Sequence, residues 1–280
     1  MLKRLSPVQV EAYRRDGFLF PIEGITAREV SAYRGALEGY EREQGKSIAE
    51  LTARYKSHTL FPWANRLVRE PVILDAVEDL IGPDILVWTS TFWVKEPGTP
   101  SITAWHQDWT FFGLRPHDHV TAWVALSIAS QQAGCMHFVP AQRAAREMRH
   151  SPRSDANSIN GGGQRIAEPF DDSVVVNGGL APGQFSLHHT LCIHSSPPNR
   201  SDDRRIGLGI SYIPASVRHI GTIPVSAMLV RGVDRFGHFQ PERDPTGDAA
   251  RDAANHAEVY ASYRSAYNEQ IRWHELGRTA

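Results

Sequence analysis

Ile85-Leu86-Val87-Trp88-Thr89-Ser90-Thr91-Phe92-Trp93-Val94 is an uncharged run of β-branched and aromatic residues, bounded by Gly82-Pro83-Asp84 before it and Glu96-Pro97-Gly98 after it. Branched and aromatic side chains fit a pleated surface, and breakers at both ends set a strand's length. The same texture returns at Val120–Ile128, Gly183–Ile193 and Arg205–Ile213, with Pro/Gly turns between. Strands at this spacing predict an antiparallel sandwich or barrel over residues 84–240.

On either side the periodicity turns helical. Ser6-Pro7-Val8-Gln9 has a cap, a proline at the first helical position and a glutamine that can reach back, and Thr26 with Glu29 repeats the pattern. Val30, Tyr33, Leu37 and Tyr40 then recur at helical spacing. Gly17-Phe18-Leu19-Phe20-Pro21 reads as a short strand, and Glu70 to Ile81 as a helix ended by Gly82-Pro83. Asp248 to Leu276 returns to helix, with Tyr260, Tyr263, Tyr267 and Ile271 on one stripe. That stripe reads as core cover, with a homodimer face as the alternative. Residues 142–163, polar with Ser-Pro-Arg-Ser and Gly-Gly-Gly, read as one long mobile loop. The expected organisation is a single domain: a helical part (1–83), a β core (84–240) and a C-terminal helix (248–276).

Thirty Lys+Arg against 31 Asp+Glu leave a net charge of -1 over 280 residues, which argues against a protein working through a large basic field on nucleic acid. Two cysteines, Cys135 and Cys192, exclude a disulfide framework and suggest a reducing, cytoplasmic setting. No run approaches the ~18 apolar residues of a membrane span, and the first twenty residues lack the pattern of a secretory signal.

Among 13 histidines there is one His-x-Asp triplet, His106-Gln107-Asp108. On a strand, residues i and i+2 share a face, so an imidazole and a carboxylate would reach the same ion while Trp105 turns away. His194, after the strand ending at Ile193, can supply a third ligand. Two histidines and one carboxylate leave open positions on an octahedral metal, as in the facial triad of non-haem Fe(II) oxygenases, whereas zinc favours a more closed set. Arg205, Gly207, Gly209 and Ser211 share one face of the next strand, opposite Ile206, Leu208, Ile210 and Tyr212. A guanidinium followed by almost bare backbone leaves room for a ligand, and arginine can hold a carboxylate through two parallel hydrogen bonds.

Trp105-His-Gln-Asp, together with Ala181-Pro-Gly-Gln, Ile193-His-Ser-Ser-Pro-Pro-Asn-Arg-Ser, Arg205 and Tyr212, resembles the phytanoyl-CoA dioxygenase family. The Tyr13–Phe18 opening, Thr121-Ala-Trp-Val-Ala-Leu and Gly134-Cys-Met-His-Phe-Val-Pro fit as well, although Ala141-Gln142-Arg143 stands where the family has Gly-Ser-His. The resemblance covers roughly residues 6 to 240. It implies a double-stranded β-helix (a cupin-like jelly roll) and an enzyme that uses Fe(II), 2-oxoglutarate and O2. Carried across, His106, Asp108 and His194 match the iron ligands. Arg205 matches the 2-oxoglutarate clamp, Ser196 a hydroxyl on the same carboxylate, and Trp123 a wall of that pocket. Related halogenases have a small residue where Asp108 stands, so its presence implies hydroxylation or desaturation, with release of succinate and CO2. Acting on a small molecule, the chain looks more like hydroxylases of secondary metabolites or small amines and phosphonates than like acyl-CoA enzymes.

Trp93, Trp109, Phe111 and Phe112 flank the triplet and are candidates for a substrate pocket, and Arg231 for a polar substrate contact. Their bland readings are core packing and a surface salt bridge. Alternation from His194 turns His188 toward the metal and His189 away. The family often carries a histidine at the place of His189, and a supporting role suits both better than ligation. The competing function is a cupin-like metal-binding isomerase or binding module, for which an arginine beside an open metal site has no use.

Overall fold

The computed structural model describes residues 2–141, 146–151, 157–160 and 165–275. Helices α1 (Pro7–Asp16), α2 (Ala27–Gln44), α3 (Pro62–Val68) and α4 (Pro71–Ile81), with strand β1 (Phe18–Glu23), precede the sheets. The strands that build the site follow as β2 (Ile85–Lys95), β3 (Thr103–His106), β4 (Val120–Ala125), β5 (Met136–Val139), β6 (Val176–Gly178), β7 (Gln184–His189), β8 (Ile193–Ser196), β9 (Arg205–Pro214), β10 (Ser226–Arg231) and β11 (Gln240–Pro241). Helix α5 (Ala249–Glu275) ends the described chain. Both N-terminal capping boxes form. Ser6 accepts from Gln9 N, Thr26 accepts from Glu29 N, and each N3 side chain returns a bond to its cap.

One sheet has seven strands in the order β1-β7-β4-β9-β2-β10-β11, and the other has four, β3-β8-β5-β6. Except for the β10–β11 pair these ladders are antiparallel, and the sheets face each other as a jelly roll, with helices on the outside. Alternation along β9 divides its residues as the pleat demands. Ile206, Leu208, Ile210 and Tyr212 join Leu37, Leu67, Ile73 and Val77 in the core beneath the helices. Arg205, Gly209 and Ser211 line the interior between the sheets.

Three elements differ from the sequence expectation. Gly183–Ile193 is two strands rather than one: β7 pairs in the large sheet, the chain turns at Thr190–Cys192, and β8 pairs in the small sheet. Apolar texture runs through this corner because both sheets bury it. The 142–163 stretch falls partly outside the described residues (142–145, 152–156 and 161–163). Its described part is tied down: His150–Ser151 pairs with Arg165–Ile166, and Ser158 bridges Ile102. Residues 48–68, unassigned from sequence, form three 3₁₀ turns and α3.

Helix α5 closes one end of the barrel. Tyr263 and Ala266 pack with Leu86, Trp88 and Ile213, and His256 donates to Tyr55 O at 2.9 Å. The tyrosine stripe therefore faces inward. No helix among the described residues is long and apolar enough to cross a membrane.

Candidate active site

His106 ends β3 and His194 lies opposite it on β8, the two being register partners. Asp108 is not on the strand. It opens a 3₁₀ turn, Asp108–Phe111, so the triplet converges through a strand end followed by a turn rather than through strand alternation. Ligand atoms of His106, Asp108 and His194 lie within 4.8 Å of one another. Each imidazole is fixed through Nδ1, which donates to Ala104 O at 2.8 Å in His106 and to Cys192 O at 3.0 Å in His194. Both Nε2 atoms are thereby turned toward Asp108 Oδ1, at 3.6 and 3.7 Å, the arrangement in which they could meet one metal ion.

The two carboxylate oxygens of Asp108 are divided. Oδ2 accepts from the Thr121 hydroxyl at 2.9 Å and from His188 Nε2 at 3.2 Å, which leaves Oδ1 for a metal. His119 Nε2, 3.2 Å from the Thr121 hydroxyl, extends the chain. Burial works to raise the Asp108 carboxyl, yet the surrounding imidazoles, His194 foremost, hold it well below the usual range. His188 thus supports Asp108, while His189 turns away and accepts from Leu191 N at 3.2 Å. A nitrogen–nitrogen–oxygen set with no thiolate, preoriented at its far atoms, fits an octahedral divalent ion such as Fe(II).

Arg205 sits in the same cavity, 1% exposed. Nη1 donates to Gly134 O at 3.2 Å, whereas Nε and Nη2 have no partner. Burial pushes the guanidinium down to about 10, which still leaves it charged at neutral pH. Trp123 and Ser196 line the cavity too, and the Arg205 guanidinium lies 5.2 Å from the Trp123 ring. The face over the β9 glycines is not empty: a Cβ on Gly207 would fall 1.9 Å from the Trp123 ring, and one on Gly209 2.9 Å from Trp93 Nε1. The glycines admit indoles, and the indoles shape the pocket. Gly207→Ala is therefore expected to displace Trp123 and to cost about 1–3 kcal/mol. Thermal unfolding and tryptophan fluorescence measure both effects.

The aromatic and Arg231 candidates separate. Trp93 and Phe112 line the cavity beside His106 and Asp108. Trp109 does not; its Nε1 donates to Gln107 Oε1 at 2.9 Å, and its ring packs on His117, His150 and His274. Phe111 is buried against Tyr267 and His274. Arg231 binds Asp75 at 2.6 Å and Glu78 at 2.9 Å on α4, away from the cavity. Arg231→Ala should lower stability by less than about 1 kcal/mol and leave substrate KM unchanged. A raised KM would return Arg231 to the site.

Several working residues carried no sequence signal. Lys95 is buried, and its ammonium donates to Ser196 O at 2.9 Å and Ser196 Oγ at 2.6 Å, so it fixes the serine beside Arg205. Burial and the Arg205 charge push it down to about 6. Gln107 ties the strand end to Leu191 O at 2.7 Å and Arg146 O at 2.9 Å. Tyr55, Tyr260, Tyr263 and Tyr267 wall a chamber that continues outward from His106 and Asp108.

The chain is similar to known proteins over this region. It is 27% identical over 179 residues to a probable alpha-ketoglutarate-dependent hypophosphite dioxygenase of Stutzerimonas stutzeri, covering 63% of this chain and 62% of that one. It is 25% identical over 224 residues to an L-proline trans-4-hydroxylase of Streptomyces griseoviridis, covering 71% and 83%. A solved non-heme monooxygenase, ThoJ in its apo form, superposes with a TM-score of 0.84 at 30% identity, covering 94% of this chain and 99% of that one. A family model described as phytanoyl-CoA dioxygenase matches residues 13–207, a span that holds the His106–Asp108–His194 group, Ser196 and Arg205, and with that the chain belongs to the phytanoyl-CoA dioxygenase family of Fe(II)- and 2-oxoglutarate-dependent oxygenases.

Proposed function

We propose that this protein is an Fe(II)- and 2-oxoglutarate-dependent dioxygenase that hydroxylates or desaturates an aliphatic C–H bond of a small molecule. One juxtaposition carries the reading. A His106–Asp108–His194 group with open coordination positions shares a cavity with the partly unpartnered guanidinium of Arg205. In this reading His106 Nε2, Asp108 Oδ1 and His194 Nε2 hold the iron. Arg205 and Ser196 hold the distal carboxylate of 2-oxoglutarate, and Trp123 walls its carbon chain. When bound, iron and 2-oxoglutarate divide O2 between succinate and the substrate and release CO2, so that a hydroxylation gives R–OH from R–H.

The chain's own residues set geometry. Ala104 O and Cys192 O fix the ring orientations, while Thr121 and His188 hold Asp108 by its second oxygen. Phe112, Trp93 and the tyrosines keep water from the reacting centre. The N-terminal part (1–83), the β core (84–240) and the C-terminal helix (248–276) act as one catalytic unit, because Tyr55 and α5 both wall the chamber. The substrate is a secondary metabolite or a small amine or phosphonate, in keeping with the small substrates named for the two relatives. The free, buried Cys135 and Cys192 suit a cytoplasmic setting.

Oxygen consumption and succinate release with Fe(II), measured with and without 2-oxoglutarate, test the reading. Substrate turnover that ignores the omission of 2-oxoglutarate would favour the cupin-like isomerase or binding module.

A further inference from the structure

The chamber outside the metal group shares Thr91, Trp93, His106, Asp108 and Phe112 with the inner cavity, so a compound lying in it reaches the reacting centre. Its outer wall comes from three places, one of them the buried Asn160. Tyr55 is held beside β2 by a bridge to Thr91, and α5 contributes Tyr260, Tyr263, Arg264 and Tyr267. Asp108, whose oxygens are already committed, is the sole acid among the lining residues.

One guanidinium lines this chamber and a second lies behind the rings of its wall, neither with a carboxylate partner among the described residues. Arg264 lines the chamber and lies 5.4 Å from the Tyr267 ring. Arg54 is 7% exposed and lies 4.9 Å from the Tyr55 ring and 5.2 Å from the Trp93 ring. Its polar contacts are long ones to Ala49 O and Ile159 O, both 3.4 Å, and its Nε is buried with no partner. A buried cation without a counter-charge is costly unless an anion completes it. Rings of this kind could instead cage a cationic substrate. Here the faces of Tyr55, Trp93 and Tyr267 already meet arginines, and a third cation would add repulsion.

Resting on the metal-centre reading above, we infer that the substrate is a small organic acid. Its carboxylate or phosphonate is held toward Arg264 and Arg54, and its apolar body lies along the tyrosines toward His106 and Asp108. Between the amine and phosphonate classes, the wall selects the anion.

The test is calorimetry on the anaerobic protein loaded with Fe(II) and N-oxalylglycine. The probes are matched sets on phenyl, cyclohexyl and indolyl bodies, each carrying a propanoate, an ethylphosphonate, a propanamide or a propylamine. At least one acid should bind about tenfold or more tightly than its own amide and amine, and the carboxylate and phosphonate arms show which anion fits. Arg264→Glu, an exposed position that spares the core, should remove that preference while leaving N-oxalylglycine affinity unchanged; Arg54→Met should weaken acid binding in the same direction. Amides or amines that bind as well as the acids, acid binding indifferent to Arg264→Glu, or a panel in which nothing binds would each overturn the inference. Failure of Fe(II)-dependent N-oxalylglycine binding in the unsubstituted protein would instead strike the metal-centre reading on which it rests.

Discussion

Replacing Asp108 by alanine is expected to abolish turnover and to weaken Fe(II) binding by more than about a hundredfold. Substituting a group that merely supports a metal ligand costs about 10–100-fold in affinity or activity, so deleting a ligand should exceed that range. In this site the loss compounds. Asp108 Oδ1 is the one anionic donor facing the two Nε2 atoms, while Oδ2 is the acceptor for Thr121 and His188. Alanine leaves the Thr121 hydroxyl and the His188 Nε2 proton buried without that acceptor, at about 1–3 kcal/mol each. Competition with a chelator reads the iron affinity, circular dichroism reads the fold, and succinate formation reads turnover. Thr121→Val separates the two roles: it keeps the ligand, removes its support, and should lose about 10–100-fold. Full turnover in Asp108→Ala would remove Asp108 from the metal.

The site was legible in sequence where chemistry forces residue type at fixed spacing. His106 and Asp108 stand two apart on a segment that can bring both to one ion, and Arg205 and the glycines declare the inner face of β9 through the alternation of a strand buried on both sides. Even so, Asp108 lies on a 3₁₀ turn rather than on the strand, and the glycine face is filled by indoles rather than open. What stayed illegible was set by tertiary position. Lys95 ends an apolar strand and reads as its solvated end, yet its ammonium is buried against Ser196 from another sheet. The tyrosines of α5 have the spacing of any helix face that covers a core. Only the docking of α5 over the barrel end, beside Tyr55 from residue stretches nearly 200 positions earlier in the chain, turns that face into a chamber wall. Trp109 and Phe111 misled for the converse reason: adjacency to a ligand in sequence does not fix a direction on a tight turn, and both rings point into the packing against α5.

Arg205→Leu should act in opposite directions on the free and the loaded protein. In the free chain Arg205 is an almost fully buried charge with one hydrogen bond, to Gly134 O, and with Nε and Nη2 unpartnered. The nearby Lys95, pushed down to about 6, supplies no counter-charge, and Asp108, the one carboxylate lining the cavity, is engaged elsewhere. Replacing such a charge by an apolar side chain of similar volume is commonly neutral or stabilising by about 1–4 kcal/mol. The free variant should therefore unfold at the same temperature as the parent or a higher one. The loaded protein should lose instead. Without the guanidinium the distal carboxylate of 2-oxoglutarate meets a leucine, and the loss of a buried charge pair costs about 2–4 kcal/mol, or roughly 30- to 1000-fold in Kd. A ligand that binds only the folded state raises its melting temperature with concentration, so the 2-oxoglutarate-dependent rise seen in the parent should nearly vanish in the variant. Fe(II) affinity should hold, because Arg205 touches none of the three ligands. Lys95→Met should give a weaker version of the same loss, since Lys95 reaches the proposed carboxylate site through Ser196. An undiminished melting shift in Arg205→Leu would show that the arginine is a structural charge and that 2-oxoglutarate is held elsewhere; the opposed pair of effects is the outcome expected of a cation buried for a dianion.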